Sequence, residues 1–311
     1  MTNIVYFDGH EVKPYCETGK IVYHYTSPDS FLSIVNHKNL WFSDSQFMND
    51  QSEYVHIKNI FKQAAKGTSH EDNDEFVDYL MGFPYGGITT QHAISGKGSF
   101  SRGIIRTRYY LFCTSLGPDS HSMWNYYIKN GYYQGYNFGL SVDALIDSIP
   151  QLGQKLTHGK VNYNGEEQIL QIHNKIMELS KKFDDNIKEG IDEERCIECY
   201  QETLAEYLLQ RCMFYKNPAF KHEEEYRFLI EAPAITIDSG GTIDHHVGGG
   251  GLIVPHLVVT FDPIQSIQRI TLAPMMEREV AKQGVQRLFA NKIPEIKSQI
   301  NIDYSQINVR F

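Results

Sequence analysis

The sequence predicts an α+β fold, and three observations lead there. Strand-like and helix-like segments succeed each other without the regular alternation that a doubly wound sheet requires. The helical patterns are unequal in length, and two long ones stand next to each other over 166–188 and 193–215. Of the 311 residues 41% are hydrophobic and 22% charged, so a large core is available. The chain reads as one elaborated domain over 1–311, with an α-helical insertion at 164–216.

The first twenty residues carry little pattern. Ile21 to Thr26 is rich in β-branched and aromatic residues and predicts a strand. Ser27-Pro28-Asp29 ends it, with Ser27 able to cap a helix that has Pro28 at its first position. Phe31, Leu32, Ile34 and Val35 would form its buried stripe, and Leu40-Trp41-Phe42 resumes extended structure. At Asn49-Asp50-Gln51-Ser52-Glu53, Asp50 is placed to cap a second helix and Glu53 to reach back to it. Gly82 to Gly103 holds six glycines without a period and reads as a long loop, which in a compact protein is often functional.

Strands are expected at Arg108–Leu116 and Gln134–Val142, with a short helix near Met123–Tyr127 between them. After the two long helices, strands return at Glu223–Ile230, Leu252–Phe261 and Ile267–Leu272. A helix near Glu277–Ala290 and a strand near Ile300 complete the pattern.

A net charge of −9 argues against a sequence-independent nucleic-acid coat, although Lys97, Arg102, Arg106 and Arg108 could line a local groove. The 20 tyrosines suit clefts and contact surfaces, because each ring joins an apolar body to a polar tip. Five unevenly spaced cysteines read as reduced thiols, and no apolar run approaches membrane-spanning length. A cytoplasmic protein without a membrane partner is the expectation.

On a strand, Glu223, Glu225 and Arg227 would share one face and Glu224, Tyr226, Phe228 and Ile230 the other. A half-buried edge strand with a solvated ion-pair ladder accounts for this pattern. So does a carboxylate pair aimed into a cleft, where it could bind a sugar hydroxyl and stabilise an oxocarbenium ion. His24 fits a hydrogen-bonded structural role or recognition of a ribose hydroxyl. Cys196-x-x-Cys199, with Cys212 and His173, is a weak zinc pattern inside a helical period, and no metal is expected. Gly248 to Gly251 lacks the helix and Lys-Ser/Thr of a phosphate loop and reads as a turn.

Segments spread over the chain resemble the bacterial family known as domain of unknown function twenty-nine seventy-one. They are Val22-Tyr23-His24-Tyr25-Thr26-Ser27, Met48-Asn49-Asp50-Gln51-Ser52-Glu53, and Cys113-Thr114-Ser115-Leu116 with Met123-Trp124-Asn125-Tyr126-Tyr127. Phe220 to Arg227 and Ile270-Thr271-Leu272-Ala273-Pro274 with Ser305 to Arg310 complete the set. More loosely, a strand ending in His-Tyr-Thr followed by a helix and a short strand is similar to the opening of ADP-ribosyltransferases. That resemblance implies a split, mixed or antiparallel β core with added helices, and NAD as substrate.

Carried over residue by residue, the resemblance implies that His24, with Tyr25 and Thr26, contacts the NAD ribose and that Thr114 and Ser115 brace the site. Tyr126 or Tyr127 would stack on nicotinamide, Glu225 would hold the nicotinamide ribose, and Glu223 would orient the acceptor. Cys113 stands where the family pattern has a serine, and the α-helical insertion has no counterpart in a minimal transferase. The reading is an intracellular toxin or anti-phage effector modifying nucleic acid or protein, with an antitoxin as expected partner. An NAD glycohydrolase and a non-catalytic ligand-sensing or partner-binding module are the alternatives. The enzymatic reading requires His24 and Glu225 to face a common cleft.

Overall fold

The computed structural model describes residues 3–9, 12–14, 18–47, 52–68, 70–71, 89–91, 104–127, 133–149, 155–233, 243–248, 251–296 and 300–308. The strands are β1 (Asn3–Phe7), β2 (Val12–Pro14), β3 (Ile21–Thr26), β4 (Asn39–Asp44), β5 (Thr89–Gln91), β6 (Ile104–Ser115) and β7 (Tyr136–Ser141). They continue as β8 (Lys155–Lys160), β9 (Glu225–Pro233), β10 (Ile243–Val247), β11 (Ile253–Thr260), β12 (Ile267–Leu272) and β13 (Asn301–Tyr304). Together with the helices between them they make a mixed α+β architecture, as expected.

The main sheet runs β13-β12-β7-β3-β6-β9-β8-β1-β2. Among the described strands, only β1 with β8 and β12 with β13 pair in parallel. Two partners share one edge of β6. Tyr23 of β3 pairs with Ser115 at its end, while Ser43 and Asp44 of β4 pair with Leu111 and Tyr110 further back. Between these contacts β3 and β4 part, and the sheet splits. From β4 the second arm continues through β11 to β10.

Ser27 caps the Pro28–His37 helix as expected, accepting from the Ser30 amide at 3.3 Å. Phe31 of this helix stacks on Tyr136 and Phe138, with ring centroids 4.0 and 4.7 Å apart. These rings belong to a core completed by Val285 and Phe289 of the Arg278–Lys292 helix. Burial of each such side chain is worth about 1.5–3 kcal/mol. A second core forms on the opposite face of β6 and β9, where Leu111 and Leu229 meet Ile172, Ile176, Leu204 and Leu208. Those four come from the helices Gly165–Lys188 and Glu193–Cys212, so the predicted α-rich region is packed onto the sheet. Among the described residues, no helix is long and apolar enough to cross a membrane.

Several local expectations change. The unpatterned opening contains β1, recruited by parallel pairing with β8, a strand the sequence reading lacks. At their junction a Cβ on Gly159 would lie 1.8 Å from the Phe7 carbonyl oxygen, so only glycine fits. Thr89–Gln91 of the expected loop forms β5 against the start of β6, and most of that loop lies outside the described residues. The helix expected from Asp50 runs over Ser52–Ala64, with Asp50 itself outside them. Gly248 takes part in the β10–β11 turn, its amide donating to the Leu252 carbonyl at 2.8 Å, whereas Gly249 and Gly250 lie outside them too. Of the basic cluster, the Arg108 side chain is described, and it stands 3.9 Å from Asp44.

Candidate functional site

The site is built around Cys113-Thr114-Ser115, the end of β6, because both strands carrying the predicted residues flank it. On one side β3 touches it at Tyr23–Ser115, and on the other β9 pairs along it, with Ser115 opposite Glu225 and Cys113 opposite Arg227. Opposed residues of an antiparallel pair share a face, so Tyr23, Ser115 and Glu225 lie in one row. His24 alternates with Tyr23 and sits on the opposite face, its ring 4.7 Å from Phe112. His24 and Glu225 therefore point to different faces of the sheet, against the requirement for a shared cleft. Alternation within each strand was legible in the sequence, but the register between strands was not.

Where β3 and β4 part, a cavity of about 500 Å³ opens. His24, Tyr25, Thr26 and Tyr127 line it, as do Trp41 and His246. This volume lies within the range of small-molecule sites, about 300–1,000 Å³. The His24 Nδ1–H donates to the Cys113 carbonyl at 3.3 Å, bridging the gap left by the parting strands. That bond fixes the tautomer and leaves Nε2 as an acceptor. Burial pushes the His24 pKa down to about 4, so the ring is neutral at physiological pH.

Tyr25 is buried; its hydroxyl donates to the Gly117 carbonyl at 2.7 Å and accepts from the Ser120 amide at 2.8 Å. Its ring meets Trp124 edge-on at 4.7 Å and so fixes the His121–Tyr127 helix. Tyr127 at the end of that helix belongs to both halves of the site. It lines the cavity and is 39% exposed, while desolvation of its phenol, then the Glu225 carboxylate, Cys113 and Glu223, hold the hydroxyl well above its usual pKa.

The predicted carboxylates sit in a buried ionic cluster. Arg227 reaches Glu225 at 2.6 Å and clasps both oxygens of Glu53, at 3.1 and 2.5 Å. The Lys216 ammonium lies 2.5 Å from Glu223 and 3.4 Å from Glu225. Three carboxylates against two cations leave one excess negative charge. Burial alone would raise the Glu225 pKa, but Arg227 and Lys216 outweigh it and hold the carboxyl below its ordinary value. Burial raises Glu223 and Glu53, only partly offset by their cationic partners. Glu225 is thus the carboxylate kept ionised. It can accept a hydroxyl hydrogen bond and stabilise positive charge developing on a sugar carbon.

Two readings of the Glu-rich segment are corrected. The strand is central, between β6 and β8, and Glu225 and Arg227 are only 3% and 0% exposed, so no solvated ladder exists there. Glu223 is not on the strand but ends a 3₁₀ turn over Pro218–Glu223, which Asn217 caps. Glu224 follows in the left-handed region (φ 45°), at an expense of about 1–2 kcal/mol for an L-residue. This turn aims Glu223 and Glu225 at the same lysine.

Thr114 is buried and donates to the Tyr226 carbonyl at 2.6 Å. Ser115 donates to the Glu223 carbonyl at 2.8 Å, tying the turn to β6. Tyr126 stands apart, 57% exposed, with its hydroxyl 3.2 Å from His222 Nε2. Glu223 and Glu225 are not among the residues lining the cavity. Sequence reasoning missed Lys216, Tyr163, Trp41 and His246, and it assigned Glu53 to a helix cap instead of Arg227. Tyr163 accepts from the Glu225 amide at 3.0 Å. Cys196 and Cys199 of the zinc pattern are buried and exposed respectively, and His173 bonds the Ala64 carbonyl. Among the described residues, no group of three or more metal-ligating side chains occurs.

Residues 123–228 match the family model described as Protein of unknown function (DUF2971), the family that the quoted segments resemble. The match contains Tyr126, Tyr127, Glu223, Glu225 and Arg227, while His24 and Glu53 lie before it. No curated protein and no solved structure matches the chain.

Proposed function

We propose that the protein is an ADP-ribosyltransferase using NAD, with its site at the split of the sheet. His24 and Glu225 lie on opposite faces there, so the site draws on both faces around Tyr127 in place of the single cleft expected from the sequence. One observation carries this reading: Tyr127 lines the cavity beside His24 and also stands within the field of Glu225 and Glu223. Nicotinamide release breaks the bond between the ribose C1′ and the pyridinium nitrogen, and the electron pair leaves with neutral nicotinamide. The ionised Glu225 holds a ribose hydroxyl and stabilises the oxocarbenium charge. An acceptor hydroxyl or amine then bonds to C1′ and loses its proton, with Glu223 orienting it. His24, neutral and with Nε2 free of the Cys113 bond, accepts from a ribose hydroxyl.

Labelled NAD incubated with purified protein and cell extract tests the reading. Label transfer and nicotinamide release are expected from wild type and lost in Glu225→Gln. Equal behaviour of the two proteins, with neither product formed, would sink it. Free ADP-ribose without a modified macromolecule would identify a glycohydrolase instead. A cellular role as toxin or anti-phage effector, restrained by an antitoxin, belongs to the same proposal. Growth arrest on expression that Glu225→Gln abolishes is its readout.

A second reading, a non-catalytic ligand-sensing module, draws on the charge compensation of Glu225 and on its not being among the residues that line the cavity. It predicts that Glu225→Gln leaves the cellular phenotype intact and that NAD causes no shift in melting temperature. A ligand at a hundred times its Kd stabilises by about 2.7 kcal/mol, which such a measurement resolves.

A further inference from the structure

The cavity has an end that none of the roles above occupies. Trp41 of β4 lines it and is 41% exposed, although its indole is packed against two imidazoles. His256 stacks on it at 4.2 Å with 29° between planes, and His246 at 5.3 Å with 30°. The two imidazoles are themselves joined, Nδ1 to Nδ1, at 3.1 Å. An indole held flat by two rings, with part of its surface open to a cavity, is a preorganised stacking platform.

We propose that Trp41 stacks on the adenine of the dinucleotide, placing the adenosine half at this end of the cavity. The assignment rests on the transferase reading, which puts the reacting ribose beside Tyr127 and the carboxylates and leaves the remote base for Trp41. Among the residues lining the cavity, Asp29, Ser30 and Ser33 offer groups for ribose hydroxyls. Planar bases stack on aromatic side chains with enough energy to change affinity about tenfold or more.

The chain has two tryptophans, and the other, Trp124, is fully buried and offers no face for a ligand to stack on, so the part of the emission change that Trp41→Leu removes reports on Trp41. Full-length protein would be titrated with adenosine, nicotinamide riboside and NAD while tryptophan emission is followed. Adenosine and NAD are expected to quench it and nicotinamide riboside to leave it unchanged. Trp41→Leu should abolish the quench and weaken NAD binding by roughly tenfold, whereas Trp41→Phe retains a stacking ring and most of the affinity. Unchanged NAD affinity in Trp41→Leu, or quenching by nicotinamide riboside in place of adenosine, would overturn the assignment. If NAD is consumed and Trp41→Leu leaves KM unaltered, the transferase reading stands and this inference falls. If adenosine quenches through Trp41 and no nicotinamide is ever released, the inference stands and the transferase reading falls.

Discussion

Arg227 grips a single oxygen of Glu225: its Nε and Nη2 lie 2.8 and 2.6 Å from Oε2. The other oxygen, Oε1, faces the Lys216 ammonium at the longer distance of 3.4 Å. The two residues are neighbours on one face of β9, and the same guanidinium reaches across to Glu53 and to the Met213 carbonyl. One buried cation thus fixes one side of the Glu225 carboxylate and ties it to the helix beginning at Ser52.

Removing that cation strands two carboxylates in the interior. Arg227→Met is expected to destabilise the fold by about 3–5 kcal/mol, the usual range for breaking a buried pair from one side. Adding Glu53→Gln should recover part of the loss, because one uncompensated charge disappears with it. Urea unfolding of the two single variants and the double variant measures the coupling. Simple additivity would show that the guanidinium and Glu53 do not act together.

Stability should respond to acid through His24. Its ordinary pKa of 6.5 falls to about 4 in the fold, so between these values the unfolded chain binds the extra proton. The stabilisation is present above pH 6.5 and is lost as pH falls towards 4, with an upper bound of about 3 kcal/mol. His24→Asn keeps a donor for the Cys113 carbonyl but cannot titrate. Its unfolding free energy should therefore change less than that of wild type between pH 6.5 and 4, and parallel curves would refute the assignment.

The two site carboxylates have opposite signs. Glu225 is depressed, so its contribution is present above the ordinary value of 4.5 and disappears as pH drops through the lower folded value. Glu223 is raised, so its contribution is present below 4.5 and is lost as pH rises through the higher folded value. Glu223→Gln should flatten the decline in stability above pH 4.5, while Glu225→Gln should not. Denaturation midpoints at closely spaced pH values separate them.

Neighbouring tyrosines should behave differently. Tyr127 lines the cavity and stands near Glu225, whereas Tyr126 is 57% exposed and hydrogen-bonded to His222. Tyr127→Leu removes the stacking ring and is expected to lower NAD turnover by about tenfold, as loss of one base-stacking side chain does. Tyr126→Leu should leave turnover unchanged. Equal effects in the two variants would remove Tyr127 from the site.

Metal removal should have no effect. Cys199 is exposed on its helix while Cys196 is buried, a divergence that a shared metal would not tolerate. Treatment with a chelator is expected to leave the melting temperature unchanged, and Cys199→Ser to alter stability by no more than about 0.5 kcal/mol. A drop in melting temperature on chelation would reopen the zinc pattern.

The sequence by itself determined those features that neighbouring residues decide. The Ile21–Thr26 strand, the Ser27 cap, the helix carrying Phe31 and Val35, and the paired long helices all follow from local period and capping chemistry. His24, Thr114, Ser115 and Glu225 could be named because each sits in a recognisable short segment. Tertiary structure decided how those segments meet. Asn3–Phe7 is held as a strand between Lys155–Lys160, parallel to it, and Val12–Pro14, antiparallel, and nothing in its own residues encodes the distant partner. Glu53 satisfies a local capping pattern equally well, yet Arg227 claims it once the second core brings the Ser52 helix over β9. Alternation set which residues of β3 and of β9 share a face within each strand. The single Tyr23–Ser115 bridge then set the register between them and put His24 and Glu225 on opposite faces. Local periodicity acts over a few residues, whereas register and charge pairing depend on chain segments that only the folded path brings into contact.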